Sequence, residues 1–166
     1  PAERGAAEGR KSVGRWGRGA AAGVATGFFR TVAGQDGAVD PFLGARVPVL
    51  RGCVRDLKGA GVEVALPLLK SSWHEARAVA LMLLVRQFQR GDEQTQERIY
   101  QMYLKSTTFI NNWDLVDISA AHIVGSWLQG KPVLRVQVLT RLAKSNSRVE
   151  RRLAIWATVT DRMQGQ

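Results

Sequence analysis

From residue 47 to residue 163 the sequence is a succession of apolar segments with helical period, separated by short breaks. Gly59-Ala60-Gly61, Gly91-Asp92 and Ser145-Asn146-Ser147 form three of these breaks, and each contains residues that end or cap helices. No segment alternates apolar and polar residues over the length of a strand. The pattern therefore predicts an all-α fold, with helices at 47–58, 62–69, 73–89, 93–105, 113–129, 131–144 and 148–163.

The starts of these helices repeat along the chain. Trp73-x-x-x-Arg77 opens one helix, and Trp113-x-x-x-Asp117 opens another 40 residues later. A third start, which carries Arg152, follows 35 residues after the second. This period is close to that of two-helix HEAT-like repeats, which stack into a solenoid. The sequence thus predicts a HEAT-like helical-repeat solenoid, an α-α superhelix, in which Arg77, Asp117 and Arg152 occupy equivalent positions and line one surface.

The charge of the chain favours an anionic partner. Its 166 residues include 24 Lys and Arg against 14 Asp and Glu, which gives a formal net charge of +10 and a pI near 10.8. A surface of this charge attracts polyanions, and above all nucleic acid. The alternative interpretation is that the charge serves only solubility.

The cysteine and histidine content narrows the choice of chemistry. Cys53 is the only cysteine, so an internal disulfide is impossible and a reducing compartment is expected. One cysteine with His74 and His122 cannot make an all-Cys/His zinc site, and we predict no metal and no cofactor. No apolar run approaches the length of a membrane span, so we expect no membrane partner. The predicted location is the cytoplasm, in association with the nucleoid if the source is bacterial.

Two stretches concentrate the positive charge. Residues 1–19 combine five Gly with five basic residues and predict a flexible basic arm before a single domain at 20–166. Residues 131–166 hold eight basic and two acidic residues, and Arg148, Arg151 and Arg152 cluster at a helix start. Backbone amides at a helix start also attract phosphate, so we expect this cluster to contact DNA. A plain solvated face is the alternative.

The stretch Ile110-Asn111-Asn112-Trp113-Asp114-Leu115-Val116-Asp117 carries the most specific chemistry. Asn111 or Asn112 can cap the helix, and Asp114 lies in its first turn, where the helix dipole favours a carboxylate. Asp117 lies one turn further among apolar residues, where a carboxylate needs a partner or a function. Residues four apart share a helical face, so Trp113 and Asp117 together could receive a planar cation. A structural Asp–Arg ion pair between repeats is the alternative.

These residues also resemble a known family, the DNA alkylation repair family of HEAT-like, AlkD-like DNA glycosylases. Four motifs occur in the family's order over roughly residues 20–160. They are Phe28-Phe29-Arg30-Thr31 with Phe42-Leu43-Gly44-x-x-Val47-Pro48, His74-Glu75-x-Arg77 with Ala80-Leu81, Ile110-Asn111-Asn112-Trp113-Asp114-Leu115-Val116-Asp117, and Glu150-Arg151-Arg152-x-Ala154-Ile155. Many relatives carry Trp where this chain has Val149, and the family's usual further repeats, with a second cleft tryptophan, would lie beyond Gln166. The resemblance therefore implies that the domain at 20–166 lacks its last repeats.

The resemblance implies an activity and its residues. The family hydrolyses the N-glycosidic bond of cationic alkylated purines, such as N3-alkyladenine and N7-alkylguanine, in double-stranded DNA, and does so without flipping the base into a pocket. Carried over by position, Asp117 matches the catalytic carboxylate, Trp113 a tryptophan of the lesion-side cleft, and Arg152 an arginine that contacts the DNA backbone. Arg77, Arg148 and Arg151 join these as expected DNA contacts, and the protein is expected to act as a monomer.

Two other functions fit the same sequence. A non-catalytic HEAT-like module could grip the backbone of nucleic acid, and a protein-interaction scaffold could bind an acidic partner through the same basic surface. The presence of both Trp113 and Asp117 favours the enzyme, whereas the expected lack of a second cleft wall favours the binding module.

Overall fold

A computed structural model describes residues 41–42, 44–57 and 61–163 of the chain. The basic arm predicted at 1–19 and the motif residues Phe28 to Thr31 lie outside the described residues. Within the described ranges every regular element is a helix and none is a strand, which confirms the all-α class. The helices pack against one another, as expected for helical repeats.

The helix boundaries follow the sequence pattern closely, with one exception. Two predicted helices, 62–69 and 93–105, begin and end at the observed residues, and most other ends differ by one or two residues. The observed helices are α1 (Val47–Asp56), α2 (Val62–Leu69), α3 (His74–Arg90), α4 (Glu93–Lys105), α5 (Trp113–Asp117), α6 (Ser126–Leu128), α7 (Pro132–Ala143) and α8 (Arg148–Met163), with a 3-10 turn at Thr107–Phe109 and a π-helical turn at Ala121–Gly125.

The helix predicted at 113–129 is wrong as a single helix. It breaks after Asp117 into α5, a turn, the π-helical turn and α6. The Ser119 hydroxyl donates to the carbonyl of Leu115 at 2.6 Å, and the Ser119 amide bonds to the carbonyl of Val116 instead. A serine that takes the carbonyl four residues back competes with the helix ladder and bends it. A periodic apolar pattern does not reveal this competition.

The chain divides into two compact units, with the division between Leu84 and Val85 inside α3. The first unit contains α1, α2 and the first part of α3. α1 begins with Pro at a position that tolerates it, and it buries Leu50, Cys53 and Val54 along one face. In α3 nearly every side chain from residue 76 to residue 84 is buried, which makes this helix the apolar centre of the unit.

Polar contacts fasten the loop before α1 to the start of α3, also within the first unit. The Glu75 carboxylate accepts from the amides of Gly44 at 2.8 Å and Ala45 at 3.3 Å. The rings of Phe42 and His74 lie 4.6 Å apart. Gly44 has φ 77°, a conformation that glycine adopts without strain. The first two motifs of the resemblance, as far as they are described, thus meet in a buried structural cluster.

The second unit is built around α8. This helix packs against the π-helical turn, α7 and α5, while α4 packs against the π-helical turn and α6. Leu153 and Ala157 of α8 and Ile99 and Tyr103 of α4 are buried in the unit. The packing brings the end of α5 beside the first turns of α8.

No helix in the described ranges is long and apolar enough to cross a membrane. The longest, α3, has 17 residues and carries charged side chains at both ends. At 1.5 Å per residue it would fall short of a hydrocarbon core of about 30 Å.

Candidate functional site

The candidate site begins at the N-terminus of α5. Asn112 precedes the helix in extended conformation, and its side-chain oxygen accepts from the amide of Trp113 at 2.8 Å. Of the two asparagines that the sequence offered as caps, Asn112 is therefore the one that caps. Its side chain is fully buried, so the position of the helix start is well defined, and Trp113 is held at the first helical residue.

Asp117, at the last residue of α5, forms a bidentate ion pair with Arg152 of α8. Nε of Arg152 donates to Oδ1, and Nη2 donates to Oδ2, each at 2.8 Å. The hydrogen bond to Asp117 raises the pKa of Arg152 above its ordinary value. The side chains remain open to solvent, with 22% of Asp117 and 40% of Arg152 exposed. The sequence pattern placed Asp117 and Arg152 at corresponding positions of successive repeats, and the structure joins them in an ion pair that is accessible to solvent.

Trp113 completes a row of three side chains. It is 41% exposed, and its ring centroid lies 5.8 Å from the guanidinium carbon of Arg152. That distance allows a cation–π attraction. Arg152 therefore contacts both the carboxylate and the aromatic ring, and the structure brings together the three residues that the resemblance singled out in this unit.

A second contact leaves Arg152 available to Asp117. Glu150, two residues before Arg152, accepts at 2.9 Å from the hydroxyl of Thr107. Glu150 is close to Arg152 in sequence, but its carboxylate bonds to Thr107, while Arg152 bonds to Asp117. Sequence reasoning missed Thr107, because 43 residues separate the two side chains and no local pattern links them.

The start of α8 presents the basic cluster. Arg148 and Arg151 are exposed, and the amide of Glu150 is capped by the hydroxyl of Ser147 at 3.3 Å. Nη1 of Arg151 donates to the carbonyl of Ser145 at 2.6 Å, which holds this guanidinium near the helix start. The cluster adds positive charge at the end of α8 that also carries Arg152.

Arg77 lies in the first unit and has a different environment. It is only 5% exposed, and its Nη1 donates to the carbonyls of Ser71 at 2.9 Å and Ser72 at 3.3 Å. These bonds tie α3 to the turn before it, which is a structural role. A DNA contact by Arg77 stays a prediction, and the function proposed below does not depend on it.

Within the described part of the chain, no group of three or more His, Cys, Asp or Glu side chains could hold a metal ion. The site as described consists of a carboxylate, a guanidinium and an indole. Such a set can stabilise positive charge, accept a proton and bind phosphate.

A comparison with protein-family models identifies the family of the chain. The model for DNA alkylation repair enzymes matches residues 16–163. The chain therefore belongs to the DNA alkylation repair enzyme family, whose work is DNA repair. Searches of curated proteins and of solved structures returned no match.

Proposed function

We propose that the protein is a DNA glycosylase that releases cationic alkylated purines, such as N3-alkyladenine and N7-alkylguanine, from double-stranded DNA. The observation that carries the proposal is the solvent-open Asp117–Arg152 pair beside Trp113. Family membership supports DNA as the substrate, and the basic residues of α8 support binding to its backbone.

The chemistry needs little beyond one carboxylate. Alkylation of a ring nitrogen makes the purine positively charged, so the base is already a good leaving group. As the bond from C1′ to nitrogen breaks, its electron pair moves to the purine, which leaves as a neutral base, and positive charge develops on the sugar. Asp117 stabilises that charge, and its carboxylate takes a proton from the water whose oxygen bonds to C1′. The DNA strand stays intact.

Arg152 serves as the link between the carboxylate and the DNA backbone. Arg152 uses only two of its N–H groups in the ion pair with Asp117, so the other N–H groups can be donated to a phosphate. The same side chain then fixes both the carboxylate and the position of the duplex. Arg148 and Arg151 add further phosphate contacts along the exposed start of α8.

Trp113 offers a flat face near the carboxylate. Its exposed ring can lie against the sugar beside the lesion, where it favours positive charge by roughly 0.5–2 kcal/mol. In the protein alone this face already attracts the guanidinium of Arg152. The proposal thus gives each of the three side chains a separate task.

The test is release of base from methylated duplex DNA. We expect the wild-type protein to release 7-methylguanine or 3-methyladenine and to leave abasic sites without strand cleavage. Asp117→Asn should lower the release rate by roughly 10²–10³, the cost of removing one preorganised charge-stabilising group. Asp114→Asn is the matched control, since Asp114 lies on the same helix and is also half-buried. Equal release by wild type and Asp117→Asn would end the proposal.

A non-catalytic DNA-binding module is the second candidate. Both oxygens of Asp117 accept from Arg152, which would suit a purely structural ion pair. In that case Asp117→Asn and the wild-type protein should bind undamaged and methylated duplexes equally and release no base. Loss of binding at moderate salt would still show backbone contacts.

A further inference from the structure

We propose that Ser119 and Tyr103 are positioning residues for Asp117, an inference that rests on the proposed glycosylase function. Neither side chain hydrogen-bonds to Asp117 or Arg152. Both belong to a buried chain of hydrogen bonds that ends on the backbone of α5, two residues before Asp117.

The hydrogen bonds run in one direction, from Tyr103 to Ser119 and from Ser119 to the carbonyl of Leu115. The Ser119 hydroxyl has a single proton, which it donates to the carbonyl of Leu115 at 2.6 Å. The Tyr103 hydroxyl, 2.8 Å from the Ser119 oxygen, must therefore be the donor to Ser119. Burial raises the pKa of Tyr103, so this hydroxyl keeps its proton at any ordinary pH. Tyr103 thus acts as a fixed donor and has no role as an acid or base.

Both hydroxyl groups are sealed from water. Tyr103 and Ser119 are each 0% exposed, and so is Leu115, whose carbonyl ends the chain of bonds. Tyr103 comes from α4, and its hydroxyl bonds to the Ser119 hydroxyl. Loss of either hydroxyl would leave a buried polar group without its partner.

The bonds shape the backbone at the candidate catalytic residue. Because the Leu115 carbonyl is taken by a side chain, the Ser119 amide bonds to the carbonyl of Val116, and α5 ends at Asp117. Asp117 lies between two residues, Leu115 and Ser119, that a single hydroxyl joins.

This placement matters because the ion pair is short at both oxygens. Each Asp117 oxygen lies 2.8 Å from its Arg152 nitrogen, which requires the carboxylate plane to be held in register with the guanidinium. A shift of about 1 Å in a reacting group can cost on the order of 10²-fold in rate. If the Leu115 carbonyl returned to the regular helix ladder, the direction of the chain immediately after Asp117 would change, and α8, which carries Arg152, packs against both α5 and the π-helical turn. The Ser119–Tyr103 pair therefore determines where the carboxylate faces the sugar.

The experiment uses Ser119→Ala, Tyr103→Phe and the double variant, with two matched controls. Ser126→Ala removes a serine hydroxyl that also bonds to a backbone carbonyl, that of Ala121, further along the same segment. Tyr100→Phe removes a hydroxyl from another buried tyrosine of α4. Single-turnover release of 7-methylguanine is measured at saturating protein, together with the Kd for the methylated duplex and the melting temperature.

We expect the single-turnover rate to fall at least tenfold in Ser119→Ala and Tyr103→Phe, with Kd within twofold of the wild type. The double variant should be no slower than Ser119→Ala, because the two hydroxyls act as one unit. The controls should keep the wild-type rate. Rates within twofold of wild type in Tyr103→Phe, or an equal fall in the controls, would overturn the inference, and Tyr103→Phe decides it if Ser119→Ala fails to fold.

A second readout separates this inference from the function on which it rests. The NMR resonance of the Arg152 Hε proton reports the geometry of its bond to Asp117. It should shift in Ser119→Ala and Tyr103→Phe and stay in place in both controls. A wild-type protein that releases no base would contradict the glycosylase function alone, and an unchanged Hε resonance in both variants would contradict the positioning role.

Discussion

The two units use similar residues in opposite ways. In the first, Glu75 is 3% exposed, and its carboxylate accepts from backbone amides of the loop before α1. In the second, Asp117 is 22% exposed and binds a side chain that is itself 40% exposed. Backbone partners cannot be exchanged without unfolding, whereas a half-exposed arginine can also bind a phosphate. The comparison teaches that burial and type of partner separate a structural carboxylate from a candidate catalytic one.

The largest expected effect comes from making the same change in both units. Glu75→Gln should lower the free energy of unfolding by about 1.5–3 kcal/mol, since it removes charged hydrogen bonds in a buried place. Asp117→Asn should lower it by less than about 1 kcal/mol, because ion pairs that remain open to solvent contribute little. Urea unfolding of both variants measures the difference. An equal loss would mean that Asp117 is as structural as Glu75.

The arginines provide the second contrast. Arg152→Lys loses the bidentate bond to Asp117 and should weaken DNA binding several-fold, with the salt slope lower by about one phosphate if the contact is lost. Arg77→Lys should instead reduce stability, by about 1–2 kcal/mol, because Arg77 is buried and bonded to backbone carbonyls. Binding titrations at several salt concentrations, with thermal melts, check both expectations. Equal binding by Arg152→Lys and wild type would remove Arg152 from the interface.

Two tryptophans of matched exposure give the third contrast. Trp113 is 41% exposed and Trp73 is 40% exposed, and both lie at the start of a helix. Trp113→Ala should slow base release by about two- to thirtyfold, in line with a cation–π contribution of roughly 0.5–2 kcal/mol. Trp73→Ala should leave release unchanged. The single-turnover rates of the two variants show which tryptophan contributes to base release. A larger loss of rate in Trp73→Ala than in Trp113→Ala would contradict the role proposed for Trp113.

The smallest expected effect is a loss of stability on replacing either of two glycines with positive φ. Gly130 has φ 73°, follows α6, and an added Cβ there would meet no atom within 4 Å. Gly130→Ala should therefore cost only the conformational strain, about 1 kcal/mol. Gly44→Ala should cost more, because the amide of Gly44 donates to Glu75 and strain would disturb that bond. Melting temperatures of both variants test the order, and Gly130→Asn is a milder control.

The sequence predicted much of the fold, for identifiable reasons. α2 and α4 begin and end where their apolar periodicity and their Gly and Asp signals placed them. The break after Asp117 escaped prediction, because a serine within an apolar pattern does not show which carbonyl its hydroxyl will take. A helical period describes the average direction of side chains and is insensitive to a local hydrogen bond.

The candidate site was predictable only in part. The spacing of Trp113 and Asp117 on one helical face is a local property, and the repeat placed Arg152 in an equivalent position. The bidentate geometry and the contact between Thr107 and Glu150 depend on how α8 packs in the second unit, and no pattern of neighbouring residues encodes that packing. For the same reason the buried environments of Glu75 and Arg77 could not be distinguished by sequence from an exposed surface.

The most direct test of the account is the single-turnover rate of 7-methylguanine release per folded molecule, measured side by side for Asp117→Asn and Glu75→Gln. The account predicts that Asp117→Asn is at least about 100-fold slower than wild type, whereas Glu75→Gln keeps the wild-type rate at a temperature where it is folded. Wild-type rates in Asp117→Asn, or an equal loss of rate in both variants, would contradict it.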